Sequence, residues 1–308
     1  MLKYFVRPSA SEDVQEVKTA PKEQVWVYSS HSNEKDILQI IKDYNLDENI
    51  IRDVYDKYEL PRVEYKSNVM YVFLRVPFRS RSGNVASVPI LCVVKGSVLV
   101  TLSIGDYFVP ADVFSSSKLT MKSSKHVFVQ ILAYVADQYE EHIQRTGAYI
   151  VSTGKRLQTR DVDNHDFINF VTVESDLNEF NTSLSAVLAV LERLSENKFG
   201  AFNDKDVELI KDIILFNNQL LVAISSHAKT IQSIRNAYTT ISNNSLNKRM
   251  KTLTILTVLI TMPNVFYGMY GMNVALPFAE EPWAFLAITG FTVLLVIIGY
   301  GIVRRKKF

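Results

Sequence analysis

Short apolar runs alternate with polar breaks over the first 120 or so residues, and after that the period changes. Stretches 24–28, 63–65, 69–76, 88–94 and 98–102 are rich in β-branched and aromatic residues and of strand length. Between them, 34–44 and 48–57 carry Ile37, Ile40 and Ile41, then Ile50, Ile51 and Val54, at helical spacing. This mixture predicts an α/β domain with a mixed sheet, and Gly96 between Lys95 and Ser97 predicts a hairpin turn.

From Ala111 to Met262 the chain contains no proline, and its glycines there are Gly147, Gly154 and Gly200, a pattern of long helices with breaks expected near Gly154 and Gly200. With Asn203 as N-cap, Val207, Ile210, Ile214, Leu221, Ile224, Ala228, Ile231, Tyr238 and Ile241 recur near heptad spacing. They predict one helix from about 204 to 270, on the order of 100 Å long and too long to stand without partners. Neighbouring copies of the chain would supply those partners, as would packing within the same subunit.

Two stretches, 252–270 and 283–303, are apolar over the roughly 20 residues that a bilayer requires. Lys248-Arg249-Met250-Lys251 precedes the first and Arg304-Arg305-Lys306-Lys307 follows the second, so the positive-inside rule puts both termini in the cytoplasm of a cell membrane. The organisation expected is a cytosolic α/β and helical domain (1–200), a stalk helix (201–250), a transmembrane hairpin (251–303) and a basic tail (304–308) in contact with membrane lipid.

Charge sharpens this division. The 308 residues carry a formal net charge of +2 with 21% charged side chains, which gives no basis for a nucleic-acid partner bound through bulk positive charge. Yet between Thr252 and Val303 the formal charges are Glu280 and Glu281 alone. Cys92 is the single cysteine, so there is no disulfide framework, and the N-terminal residues lack the long apolar run of a signal peptide. No glycine loop for phosphate is present, so no nucleotide is expected. No nucleophile, base and orienting group recur at usable spacing, so catalysis is not expected either.

The first span is the more polar. Asn247, Thr254, Thr257, Thr261 and Asn264 share one helical face, with Met250 at its cytoplasmic end and Gly268 and Gly271 continuing it outward. Such a stripe either makes hydrogen bonds between helices or lines a pore. The second span has polar groups at Thr289, Thr292 and Tyr300, and reads as the lipid-facing partner. Two spans cannot enclose a conduit, so a pore lined by the first requires a closed homo-oligomer.

The first span ends in Tyr267-Gly268-Met269-Tyr270-Gly271-Met272-Asn273, followed by an acidic loop, a second span and a basic end. That arrangement resembles the signature of the CorA family of magnesium and divalent-cation transporters. The resemblance extends to Arg52-Asp53-Val54, Leu60-Pro61-Arg62-Val63-Glu64-Tyr65 and Tyr71-Val72-Phe73-Leu74-Arg75-Val76-Pro77. It implies a homopentamer that admits Mg²⁺, with Co²⁺ and Ni²⁺ as further cargo, and whose cytosolic domains sense Mg²⁺. Gly271, Met272 and Asn273 become its selectivity filter. Counting back from Asn273, the pore-facing positions become Asn247, Met250, Leu253, Thr257, Thr261, Asn264, Gly268 and Gly271. The acidic residues that bind regulatory Mg²⁺ in the family have candidates here in Asp204, Asp206, Glu208 and Asp212, which also read as a solvated helix face. The cluster Asp161, Asp163, Asp166, Glu174 and Asp176 is open to the same two readings.

The chemistry suits the assignment. Mg²⁺ gives up its waters reluctantly, so a ring of neutral amide and carbonyl oxygens can hold the hydrated ion without trapping it. Asn273 supplies the amide, Tyr270 anchors at the interface and Met272 packs. Glu280 and Glu281 either raise the cation concentration at the entrance or keep the loop soluble. A divalent cation moving inward gains about 4.6 kcal/mol per 100 mV, so the membrane potential alone can drive influx. Thr261 stands where the family often has an apolar gate residue and Pro263 is displaced by one place, which turns attention to Met250, Leu253 or Met262 as the gate. The loop Leu276-Pro277-Phe278-Ala279-Glu280-Glu281 also departs from the family's compact Met-Pro-Glu. The alternatives are a Zn²⁺ or other divalent-metal transporter of the same superfamily, and a membrane-anchored cation sensor. His31, His126, His142, His165 and His227 are scattered outside the pore helix, which argues against a dedicated soft-metal site.

Overall fold

The computed structural model describes residues 2–6, 15–30, 33–79, 85–105, 123–159, 164–274 and 281–305, with the side chains of 79, 157–159 and 164–168 left out. They fall into two units, Met1–Ser233 and Ile234–Phe308.

The first unit is built on a seven-stranded sheet of order β2-β1-β3-β7-β6-β5-β4, comprising β1 (Leu2–Val6), β2 (Gln15–Val17), β3 (Val25–Ser29), β4 (Arg62–Lys66), β5 (Val69–Arg79), β6 (Val85–Lys95) and β7 (Val98–Leu102). β3 and β7 pair in parallel and all other neighbours are antiparallel, so the sheet is mixed as expected. Gly96, at φ +57°, turns β6 into β7 where Lys95 faces Val98. A second tight turn, which the sequence did not announce, places Ser67 and Asn68 in the left-handed region at φ 50° and 58° and brings Lys66 opposite Val69.

Both faces of this sheet are covered, which explains why its central strands read as continuous apolar runs. Helices α1 (Glu34–Tyr44) and α2 (Glu48–Arg52) pack Ile37, Ile40, Ile50 and Ile51 against Val27, Tyr71, Phe73, Leu91, Val93 and Val100. The alternate residues Trp26, Val72, Leu74, Cys92 and Leu99, all fully buried, lie on the opposite face, where α3 (Ser124–Thr159) and α4 (Asn164–Ser195) pack. There the Trp26 indole N–H donates to Thr101 Oγ1 at 2.9 Å, and Tyr139 Oη donates to the Arg75 carbonyl at 3.1 Å. Asn33 and Asp47 cap α1 and α2 through their side chains.

Two helical expectations need correction. The helix read as 48–57 stops at Arg52 and continues only as a 3-10 turn, Asp53–Tyr55, after which Asp56 is extended and its Oδ1 accepts the Tyr58 N–H at 2.8 Å, a local bond that competes with the helix. The break expected near Gly154 does not occur there, since α3 continues through Gly154 to Thr159. A glycine inside a helix costs only about 1 kcal/mol, which the packing of a long helix easily exceeds.

Helix α5 (Asp204–Tyr270) begins at Asn203, whose Oδ1 accepts the Asp206 N–H at 2.9 Å. Its buried residues are Asp206, Ile210, Ile213, Asn217, Leu220, Ile224 and Ile231. Their spacing is heptad-like, but the seam differs from the apolar reading: Val207, Ile214 and Leu221 are only half-buried, while two polar residues occupy seam positions.

In the second unit, the stretch of α5 from Leu259 to Tyr267 meets α6 (Ala284–Arg305) in antiparallel register. Three contacts fix the register: Phe266 meets Phe291 edge to face with centroids 5.3 Å apart, Tyr267 Oη lies 2.9 Å from Thr292 Oγ1, and Gly299 abuts Leu259.

Candidate functional site

The second unit contains two helices long and apolar enough to cross a membrane, one within α5 and the other α6. Ile255, Leu259, Pro263 and Phe266 are half-buried and define the packed face of α5. Thr257, Thr261 and Asn264 each lie two positions from one of these residues, about 200° round the helix and thus on its far side from α6. Asn247, Met250, Leu253, Thr254 and Gly268 are likewise exposed within this chain.

The threonines do not reach for another helix. Thr254 Oγ1 donates to the Met250 carbonyl at 2.9 Å, Thr257 to Leu253 at 2.9 Å, and Thr261 to Thr257 at 2.9 Å. Each hydroxyl proton is therefore committed to the helix itself, leaving the oxygen lone pairs as the outward polar group. Between the two spans, Tyr267 Oη and Thr292 Oγ1 lie within hydrogen-bond distance at 2.9 Å.

At its C-terminal end α5 tightens: the Gly271 N–H is shared between the carbonyls of Tyr267 at 3.0 Å and Gly268 at 3.2 Å, and Met272 N–H bonds to Met269 at 3.2 Å. Gly271, Met272 and Asn273 follow as exposed residues. The negative end of the helix dipole points toward them, a setting that favours cations. Beyond them Glu280 lies outside the described residues. Glu281 is exposed, and its carbonyl accepts the Ala284 N–H that opens α6.

The acidic candidates separate. Asp204, Glu208 and Asp212 are exposed at four-residue intervals on one face of α5. Asp206 is not part of that face: it is buried, and its Oδ1 meets His126 Nδ1 at 2.8 Å. The signal for this was its place on the heptad seam, three residues after the N-cap. Among the described residues no three His, Cys, Asp or Glu side chains come together to hold a metal ion. His142 packs on the Phe180 ring and His227 against Gly147. Burial on this contact holds the His227 pKa below its usual value. His31, Asp161 and Asp163 lie outside the described residues, as do the side chains of His165 and Asp166.

An α/β domain followed by a long helix and a second helix, both apolar enough to cross a membrane, is the layout of a two-span membrane protein. Residues 21–305 match the family described as CorA-like Mg²⁺ transporter protein, so the chain belongs to the CorA family of divalent-cation transporters and is not an enzyme. It is 21% identical over 290 residues to the cobalt/magnesium transport protein CorA of Methanocaldococcus jannaschii, covering 92% of this chain and 90% of that protein. The complete structure of that archaeal CorA superposes with a TM-score of 0.87 at 18% identity, over 99% of this chain and 98% of the other. Full-length CmaX gives 0.75 at 15% identity, covering 100% and 97%. The cytoplasmic domain of ZntB from Vibrio parahaemolyticus gives 0.64 at 10% identity, covering 79% and 98%.

Proposed function

We propose that the chain is the subunit of a homo-oligomeric channel, a pentamer by family resemblance, through which the membrane potential drives influx of Mg²⁺ and also of Co²⁺ and Ni²⁺. The observation that carries this reading is the position of Thr257, Thr261 and Asn264 on the side of α5 turned away from α6, on a line that leads to Gly271-Met272-Asn273. Copies arranged with α6 outermost would bring these stripes together around an axis. A lining of hydroxyl oxygens and amides, with no carboxylate on it, suits an ion that keeps its water shell. The Asn273 amides would form the filter, and Met250, Leu253 or Met262 would close the path toward the cytoplasm, where both termini lie. Control by intracellular Mg²⁺ falls to the exposed face of Asp204, Glu208 and Asp212, meeting acidic or carbonyl groups of another copy. The cobalt and magnesium named for the archaeal relative support the choice of cargo.

The test is ion flux into proteoliposomes under an imposed voltage, with Mg²⁺, Co²⁺, Ni²⁺ and Zn²⁺ compared. Voltage-dependent entry with Mg²⁺ preferred is the expected outcome. Preference for Zn²⁺ would reassign the cargo, and no flux of any of the four would make the chain a membrane-anchored cation-binding protein.

A further inference from the structure

We infer that Tyr267 and Thr292 form a latch that fixes the rotation of the last turn of α5 and so positions Gly271-Met272-Asn273; its functional half rests on the proposed filter. Thr292 is 1% exposed, the one buried polar residue among those described in the second unit. Its hydroxyl carries a single proton. That Oγ1 lies 3.0 Å from both the Ile288 and the Thr289 carbonyls, which take the proton, so the oxygen is left to accept from Tyr267 Oη at 2.9 Å. Tyr267 is therefore the donor, and its hydroxyl gains a partner in an otherwise apolar contact.

The other end of the same residue holds the motif. The Tyr267 carbonyl accepts the Gly271 N–H at 3.0 Å. One residue thus joins α6, through its side chain, to the turn from which the motif emerges, through its backbone. That turn has reason to need a tether. It contains Gly268 and Gly271, the weakest helix formers after proline, and it is a helix end, where fraying is normal. The neighbouring Phe266–Phe291 contact sets the spacing of the helices. An edge-to-face contact tolerates rotation of one helix against the other, whereas a 2.9 Å hydrogen bond anchored on the buried Thr292 hydroxyl is directional and resists it. Tyr267 and Thr292 are accordingly positioning residues: neither would touch the ion, and both would determine where the Asn273 amide stands.

The experiment uses the full-length protein in liposomes, with Tyr267→Phe, Thr292→Val, the double variant, Thr292→Ser and, alongside, Asn273→Ala. Two quantities are read: hydrogen exchange of the 268–274 amides, and the Mg²⁺ concentration that half-saturates flux. Tyr267→Phe and Thr292→Val should each assemble normally and raise exchange about five-fold, the change expected from losing one hydrogen bond between helices in a membrane. Half-saturation should rise with maximal flux unchanged, the double variant should be no worse than either single one, and Thr292→Ser should behave as the parent. Unchanged exchange in Tyr267→Phe overturns the latch. Raised exchange with unaltered half-saturation overturns its positioning role. Normal flux in Asn273→Ala overturns instead the filter reading, whatever exchange does, and so the two failures are told apart.

Discussion

Asp206 Oδ1 and His126 Nδ1 lie 2.8 Å apart with the Asp206 side chain 2% exposed, so the first turns of α5 and α3 are joined by a buried polar pair. Removing one member leaves the other buried without its partner. Asp206→Ala should therefore cost about 1–3 kcal/mol of stability. A lowered melting temperature of the detergent-solubilised protein, with unchanged inhibition of flux by internal Mg²⁺, is the expected result; lost inhibition would return Asp206 to the sensing group.

Asp204, Glu208 and Asp212 should behave in the opposite way. Changing all three to their amides removes exposed charge, and each substitution should alter stability by no more than about 0.5 kcal/mol. If this face senses Mg²⁺, the internal concentration that half-inhibits flux should rise. Inhibition identical to the parent's would dismiss the three residues as sensors.

Asn273→Ala should reduce Mg²⁺ uptake to the level of empty liposomes while the oligomer, sized by light scattering, stays intact. Its amide is the one group of the motif that can hold a hydrated cation by its side chain, so parental flux in this variant would remove the motif from the ion's path.

The packing of α3 on α5 allows a steric test. A Cβ on Gly147 would stand 2.5 Å from His227 Cε1, so the half-buried imidazole would have to leave its place between the helices. Gly147→Ala should destabilise the protein by about 1–3 kcal/mol through overpacking. Combining it with His227→Ala should recover most of that loss, and a melting temperature equally low in the double variant would mean that the clash lies elsewhere.

The same histidine gives a pH dependence with a definite sign. Because burial lowers the His227 pKa in the folded state, protonation favours the unfolded state. Its contribution to stability is neutral above the unfolded value of about 6.5 and becomes destabilising as pH falls below it. Thermal melts between pH 7.5 and pH 5.5 should fall less steeply for His227→Gln than for the parent. Parallel curves would exclude His227 as the titrating group.

Much of this architecture could be read from residue order alone. The five internal strands, the capping Asn203, the two apolar spans and the polar stripe depend on local pattern, which the chain states openly. What could not be read depends on partners distant in sequence. β2, Gln15–Val17, is three residues long with no apolar period; it is a strand because β1 pairs with it, Tyr4 facing Val17. The pairing of Asp206 joins residues 80 apart, and without His126 in view its carboxylate belongs by default with its exposed neighbours. The glycine at 154 illustrates the reverse error, a local signal outweighed by a long helix packed on a sheet. Within the candidate site, the face carrying Thr257 and Thr261 was legible from spacing. The Tyr267–Thr292 bond was not, because it pairs two hydroxyls that each suit other roles.

The back-bonded threonines carry a last implication. Thr254, Thr257 and Thr261 give their protons to carbonyls one turn back, so what they offer outward is electron density. A halide crossing such a wall would find oxygens where it needs O–H groups, while a cation's water shell would find acceptors for its own protons. In the proposed pore, discrimination by sign of charge would thus be written into hydroxyl orientation, without a single ionised side chain along the wall.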